Sequence, residues 1–295
     1  MKYEIFAYDN WDKFFAADFK DVLDTSGNKA TIVPKQRFSL DGVDPGEMMG
    51  YIKRAIVIRN LDTKLFYILN HDDDETLRRP RKLLTHPSCG GVLQCQYRHH
   101  ELVESSGKIH PYTYRPKDSV MYEPIRASLC DTPKTLDTLL FRGAVSLKDG
   151  RRERAAVMKA LQSHMPAADR ILPQQYYAEL ASTKLALSLP GNGNFCHREI
   201  ECFGLKTPVI MPRLLNSFYN NLIPDYHYVS VDVGWAKDTP EVKAAAIVDR
   251  FENTINRDEY LKFVASNAYT WYVENVACPS NVFLGIRILG LNGTI

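Results

Sequence analysis

The stretch from Leu185 to Ile210 constrains the fold more tightly than any other part of the chain. Leu185-Ala186-Leu187-Ser188-Leu189 is a short apolar run of the kind that forms a buried strand. It stops at Pro190-Gly191-Asn192-Gly193, a breaker cluster whose glycines let backbone come close to a ligand. A helix is expected from about Cys196 to Gly204, and Pro208-Val209-Ile210-Met211 reads as the next strand. Strand, loop, helix and strand in so few residues is a βαβ unit, and such units imply a parallel sheet.

Similar alternation extends over the rest of the chain. Residues 2–8 read as a strand, 11–24 as a helix, and 47–58 as a helix running into Ala55-Ile56-Val57-Ile58. Leu65 to Leu69 and Val92 to Tyr97 are strand candidates. Pro111, Pro116, Pro124 and Pro133 crowd the stretch 110–135, which suits a connection between domains. Beyond it come a strand at Leu139-Leu140-Phe141, a helix from Arg151 to Ser163, a short helix from Tyr176 to Ser182, a strand at Tyr228 to Val231, and a long aromatic helix from Asp258 to Val276. At 295 residues the chain is long enough for two α/β domains. The expected division is 1–135 and 136–295, with the last helix free to pack back on the first domain.

Composition narrows the function classes. Apolar residues make up 45% and charged residues 24%, the balance of a globular protein. Net charge is +2 and no basic block stands out, so nucleic acid is not expected as a partner. No run of eighteen apolar residues is present, so no membrane span is expected. The N-terminus reads as a strand and not as a signal peptide. Cysteines 89, 95, 130, 196, 202 and 278 are scattered, with no C-x-x-C pair. A cytoplasmic, reducing location is therefore the expectation. His86, Cys89, Cys95 and His99 lack the tight hook that opens a structural zinc site.

The chemistry concentrates after the glycine loop. The first N–H groups of a helix and its dipole attract anions. Arg198 falls in that first turn, where the dipole disfavours a cation unless an anion partners it. A diphosphate is such a partner. Glu201, three residues on, shares a helical face with Arg198, and its carboxylate can accept two hydrogen bonds from ribose hydroxyls. The plainer alternative is an ordinary strand–loop–helix in which Arg198 and Glu201 pair on the surface. Asp72-Asp73-Asp74 follows the strand at Leu65–Leu69 and has three readings. One aspartate is a general base for an acceptor hydroxyl, with Asp73 the first choice. Alternatively, Asp72 and Asp74 form a metal-binding D-x-D. In the third reading the run is a solvated turn. His71 is a second candidate base. Asp9, Asn10 and Trp11, at the end of the first strand, are candidates for the acceptor side.

The segment from Arg198 to Ile210 resembles the donor-binding signature of GT-B glycosyltransferases, nearest the exostosin-like and protein O-glucosyltransferase-like branch. Leu140-Phe141-Arg142-Gly143-Ala144 with Arg151-Arg152, Ile223 to Val231, and Asn267 to Tyr272 are similar to further parts of that pattern, so the resemblance covers about 138–275. It implies two Rossmann-like domains facing an interdomain cleft. The first binds a glycan or glycoprotein acceptor and supplies the base. The second binds a nucleotide sugar, with UDP favoured. It further implies inverting transfer without a metal or cofactor. Arg198 would hold the diphosphate and Glu201 would face the nucleoside, with Arg142 or Arg152 a second contact. Gly191, Asn192, Gly193, Cys196 and His197 complete the donor side. Lys206 departs from the pattern, which usually has glycine in that turn. A metal-dependent GT-A transferase and a non-catalytic nucleotide- or glycan-binding module are the alternatives.

Overall fold

Strand pairing in the first part of the chain follows directly from connection lengths. The computed structural model describes residues 1–8, 12–72, 77, 80–97, 107–113, 116, 119–142, 152–165, 171–191, 193–277 and 280–291. In chain order the first elements are β1 (Lys2–Ala7), α1 (Asp12–Thr25), β2 (Lys29–Pro34), α2 (Pro45–Tyr51), β3 (Ala55–Asn60), β4 (Phe66–Asn70), α3 (Arg81–Leu84), β5 (Cys89–Gln94) and β6 (Ile109–Pro111). The later ones are α4 (Ser119–Leu129), α5 (Arg152–Ala160), α6 (Pro173–Ser182), β7 (Ala186–Leu187), α7 (His197–Gly204), β8 (Val209–Pro212), β9 (Val229–Val231), α8 (Pro240–Glu252), α9 (Asp258–Asn275) and α10 (Ser280–Ile288). The protein is α/β and resolves into two compact units. One comprises Met1–Thr113, Asn216–Tyr219 and Ala277–Ile295, the other Tyr114–Leu215 and Asn220–Val276.

The first unit is built on a sheet of order β2-β1-β3-β4-β5-β6. β1 pairs parallel with β2, and β4, β5 and β6 pair parallel in turn, while β3 is antiparallel to both its neighbours. The turn at 61–65 between β3 and β4 is too short for a parallel crossover, so it closes a hairpin. Asn60 Oδ1 accepts the N–H groups of Asp62 and Thr63 there, and Lys64 takes a left-handed φ of 62°. The helix expected through 47–58 ends at Tyr51. Ala55, Ile56, Val57 and Ile58 are all buried, which is the signature of a strand covered on both faces and cannot be told from a buried helix by periodicity. Phe6, Phe38, Met48, Val57, Phe66 and Ile68 form much of the core on one side.

The second unit carries the parallel sheet β7-β8-β9, extended by a parallel bridge between Leu140 and Ala186. Its core gathers Leu139, Phe141, Val157, Leu187, Ile210 and Val229. The proline-bearing stretch contains α4, with Pro124 inside the helix. Tyr122 on α4 is fully buried and donates to the Glu201 carbonyl at 2.8 Å. α7 runs close to α4 and α9 because Gly204 lies between them. A Cβ at that position would stand 2.2 Å from the Tyr122 hydroxyl. Among the described residues no helix is long and apolar enough to cross a membrane.

Candidate functional site

The loop expected to face a ligand is shaped by an arginine the sequence reading passed over. α5 presents Arg154, which is only 6% exposed. Its Nη2 donates to the Leu189 carbonyl at 2.7 Å and its Nε to the Pro190 carbonyl at 3.0 Å. Gly191 then has to be glycine, since a Cβ there would lie 2.4 Å from Arg154 Nη2. Gly191 N–H turns back to the Gly193 carbonyl at 3.0 Å, and Cys196 Sγ lies 3.8 Å from the same carbonyl. Asn192 lies outside the described residues.

α7 starts as its sequence requires. Cys196 is the N-cap in extended conformation, and its N–H is taken by Glu199 Oε2 at 2.9 Å. That is the reverse half of a capping box. The other Glu199 oxygen accepts from the Ser188 hydroxyl, which ties the helix start to the end of the strand. Burial pushes the Glu199 carboxyl above the usual carboxylate range, against Ser188, Arg198 and the Cys196 N–H, which hold it down. His197 opens the helix and is half-buried.

Arg198 is the second residue of α7. Its guanidinium stacks 4.1 Å above the Phe141 ring, and Arg154 lies 5.7 Å from the same ring. Arg198 Nη2 reaches the Arg142 carbonyl at a long 3.4 Å, and its buried Nε has no hydrogen-bond partner among the described residues. A buried guanidinium N–H left without an acceptor is costly, so it marks a place where an anionic acceptor is favoured.

Glu201 is buried and receives the Tyr176 hydroxyl on Oε2 at 3.0 Å and the Tyr177 hydroxyl on Oε1 at 3.3 Å. Two α6 tyrosines therefore position this carboxylate, a feature invisible in the α7 sequence alone. Arg142 forms a two-pronged pair with Glu179, at 2.8 and 2.7 Å. The backbone of Arg152 begins α5. Its side chain, like Gly143, lies outside the described residues.

Lys206 keeps the turn that glycine would make. It takes φ +51°, with its N–H on the Phe203 carbonyl at 3.1 Å and the Thr207 N–H on the Cys202 carbonyl at 2.8 Å. These two bonds are a Schellman ending. The Lys206 ammonium is tethered outside the turn by Asp131 at 2.6 Å and lies 4.8 Å from the Tyr269 ring. Behind the turn, Lys134 donates to Ala181 O, Leu205 O and Thr207 Oγ1, at 2.6, 3.0 and 2.9 Å. Burial pulls its pKa down to about 8.

In the first unit, Asp72 is 8% exposed and faces Arg54 Nη1 at 3.3 Å. Asp73 and Asp74 fall outside the described residues, as do Asp9, Asn10 and Trp11. Cys89 and Cys95 are buried, and His86 Nδ1 accepts the Ser88 N–H at 3.1 Å, while His99 is not described. Among the described residues no group of three His, Cys, Asp or Glu is placed to hold a metal ion.

No protein-family model matches the chain, and no curated protein matches it. Among solved structures, a glycosyltransferase from Rickettsia africae ESF-5 is similar, with 11% identity and a TM-score of 0.56 over 99% of this chain and 97% of that one. At this identity the likeness is one of fold, and the chain shares the α/β fold of that glycosyltransferase. AviGT4, a glycosyltransferase involved in avilamycin A biosynthesis, aligns over 91% of this chain and 90% of its own at 15% identity, with a TM-score of 0.38 that is too low to carry an argument.

Proposed function

We propose that the chain is a GT-B glycosyltransferase. It moves a sugar from a nucleoside diphosphate, UDP by preference, to a hydroxyl of a glycan or glycoprotein acceptor, with inversion at the anomeric carbon and without a metal. One observation carries this reading. Arg198, at the start of α7 and stacked on Phe141, has a buried Nε with no acceptor among the described residues. A diphosphate oxygen satisfies that donor, and the α7 N-terminus adds N–H groups and dipole on the same side. As the bond from sugar to diphosphate breaks, negative charge grows on the leaving phosphate. Arg198 and the helix start stabilise that charge, which is the largest electrostatic contribution expected of such a site. Glu201, held by Tyr176 and Tyr177, is the carboxylate that faces the ribose hydroxyls in this reading. Arg154 and Gly191 set the loop, and Gly193, Cys196 and His197 complete the donor side. The donor belongs to the second unit. The first unit takes the acceptor and contributes the base.

The experiment is a panel of nucleotide sugars incubated with the protein in chelator, scored for free nucleotide and for sugar transferred to glycan acceptors. The proposal expects nucleotide release from one donor class and faster release with acceptor. Release only after divalent cation is restored would favour the GT-A reading. Nucleotide binding with no release from any donor would favour a binding module.

A further inference from the structure

We propose that Tyr226 and Phe263 form a binding platform for a neutral pyranose unit of an oligosaccharide, within the second unit and at the end of its sheet opposite the glycine loop. Tyr226 belongs to the turn at 223–228 and Phe263 to α9. Their ring centroids lie 5.3 Å apart with planes at 86°, so the two rings make a corner. Tyr226 is 41% exposed and Phe263 49%, and Ile223 in the same turn is 52% exposed. Side chains of this size and apolarity are usually buried, and several exposed together mark a surface that meets a ligand or partner. β7, β8 and β9 run parallel. Gly191 follows the carboxyl end of β7, whereas the 223–228 turn leads into the amino end of β9. Donor binding at the glycine loop therefore does not account for the aromatic corner.

The turn that presents Tyr226 is tied down on both sides. Asp225 takes a left-handed φ of 58°, which few residues with a Cβ adopt. Its N–H donates to the Tyr228 carbonyl at 2.7 Å. Its carboxylate accepts the Ser230 N–H and hydroxyl, both at 3.0 Å, Arg250 Nη2 at 2.7 Å and the Tyr260 hydroxyl at 3.1 Å. The Ile223 N–H is taken by His227 Nδ1 at 2.8 Å, and the His227 ring packs edge-on against Tyr226 with centroids 4.7 Å apart. An aromatic side chain on a fixed backbone has little freedom left to lose when a ligand covers it.

Size and charge select the occupant. With about half of each side chain exposed, Ile223, Tyr226 and Phe263 offer on the order of 300 Å², against the roughly 800 Å² per partner of a stable protein interface. That is too little for a second copy of the chain and enough for one or two sugar rings. The flanking charges are already matched, Arg250 with Asp225 at 2.7 Å and Lys262 with Glu259 at 2.8 Å, so a charged partner gains little there. A pyranose suits the corner. Its axial C–H groups carry partial positive charge and lie against the negative face of an aromatic ring. Asp225 and Arg250, both partly exposed beside the rings, supply acceptor and donors for its hydroxyls. The platform binds glycan whether or not the chain transfers sugar.

The test is saturation-transfer NMR on the full chain with maltotetraose, cellotetraose, N-acetylchitotetraose and β-1,4-galactotetraose, repeated on Tyr226→Ala, Tyr226→Phe and Phe263→Ala. Urea midpoints check that the variants fold, and Phe263→Gln, an exposed exchange on a helix, stands in for an alanine variant that does not. Wild type should bind at least one of these sugars. Each alanine variant should bind it about tenfold more weakly, Tyr226→Phe should bind it as wild type does, and saturating UDP should leave it bound. The platform is overturned if wild type binds none of the four, if either alanine variant keeps wild-type affinity, or if UDP displaces the sugar. Sedimentation that finds a wild-type dimer which Phe263→Glu splits would also overturn it, since the corner would then be a contact between copies. A chain that transfers no sugar yet binds one at Tyr226 and Phe263 would sink the glycosyl-transfer reading and leave the platform standing.

Discussion

Replacing Gly191 with alanine should destabilise the protein through Arg154 and through nothing else. Gly191 does not occupy left-handed backbone, so alanine is allowed by φ. The obstacle is steric: the new Cβ falls 2.4 Å from Arg154 Nη2 and 3.2 Å from Cζ. Arg154 is buried and cannot swing away without giving up its bonds to Leu189 O and Pro190 O. Hydrogen bonds to a charged group contribute about 1.5–3 kcal/mol each, and alanine regains about 0.4–1 kcal/mol by restricting the unfolded chain. The expected net cost is about 0.5–2.6 kcal/mol if one bond is lost. Urea denaturation of wild type, Gly191→Ala, Arg154→Met and the double variant forms the cycle. In the Arg154→Met background the sign should reverse, because only the entropic gain remains. An equal cost of Gly191→Ala in both backgrounds would refute the close-approach argument.

Three other perturbations separate the roles of neighbouring groups. Glu201→Gln should weaken UDP binding less than Glu201→Ala, since the amide keeps one acceptor for ribose; calorimetry that finds equal losses would reduce Glu201 to a partner of Tyr176 and Tyr177. Lys206→Gly should be more stable than Lys206→Val by about 2 kcal/mol in urea, because φ +51° strains any residue with a Cβ; equal midpoints would deny the strain. Lys134 has a folded pKa of about 8 against an ordinary 10.5, so between those values the unfolded chain binds more protons and stability rises with pH. Lys134→Met should therefore lose that part of the rise when unfolding is measured from pH 7.5 to 10.5, and an unchanged slope would mean that its three acceptors offset the burial.

What could be read in the sequence was what is local. The βαβ unit from Ala186 to Pro212 announces itself through an apolar run, a Pro-Gly break and a helix start, and each signal lies within a few residues of the element it marks. The Pro240 start of α8 carried equally good signals in Thr239 and the proline at N1, yet its modest apolar face concealed it. α4 was hidden by the opposite error, as the prolines around it read as a connection. β3 read as helix because a fully buried run has no period to display. Arg154, Tyr176 and Tyr177 could not be assigned from sequence at all, since they meet the loop and Glu201 only through the packing of α5 and α6. Asp12 and His71 stand 59 residues apart, and only the strand order of the first sheet brings them together.

The central claim is that a nucleoside diphosphate satisfies Arg198. Calorimetric titration of UDP into wild type and Arg198→Ala, both in excess chelator, tests it most directly. The account predicts that wild type binds UDP without metal and that the variant binds about tenfold to a hundredfold more weakly, the equivalent of about 1.5–3 kcal/mol for a charge-assisted contact. Wild-type affinity in Arg198→Ala, or loss of UDP binding by the wild type in chelator, would contradict it.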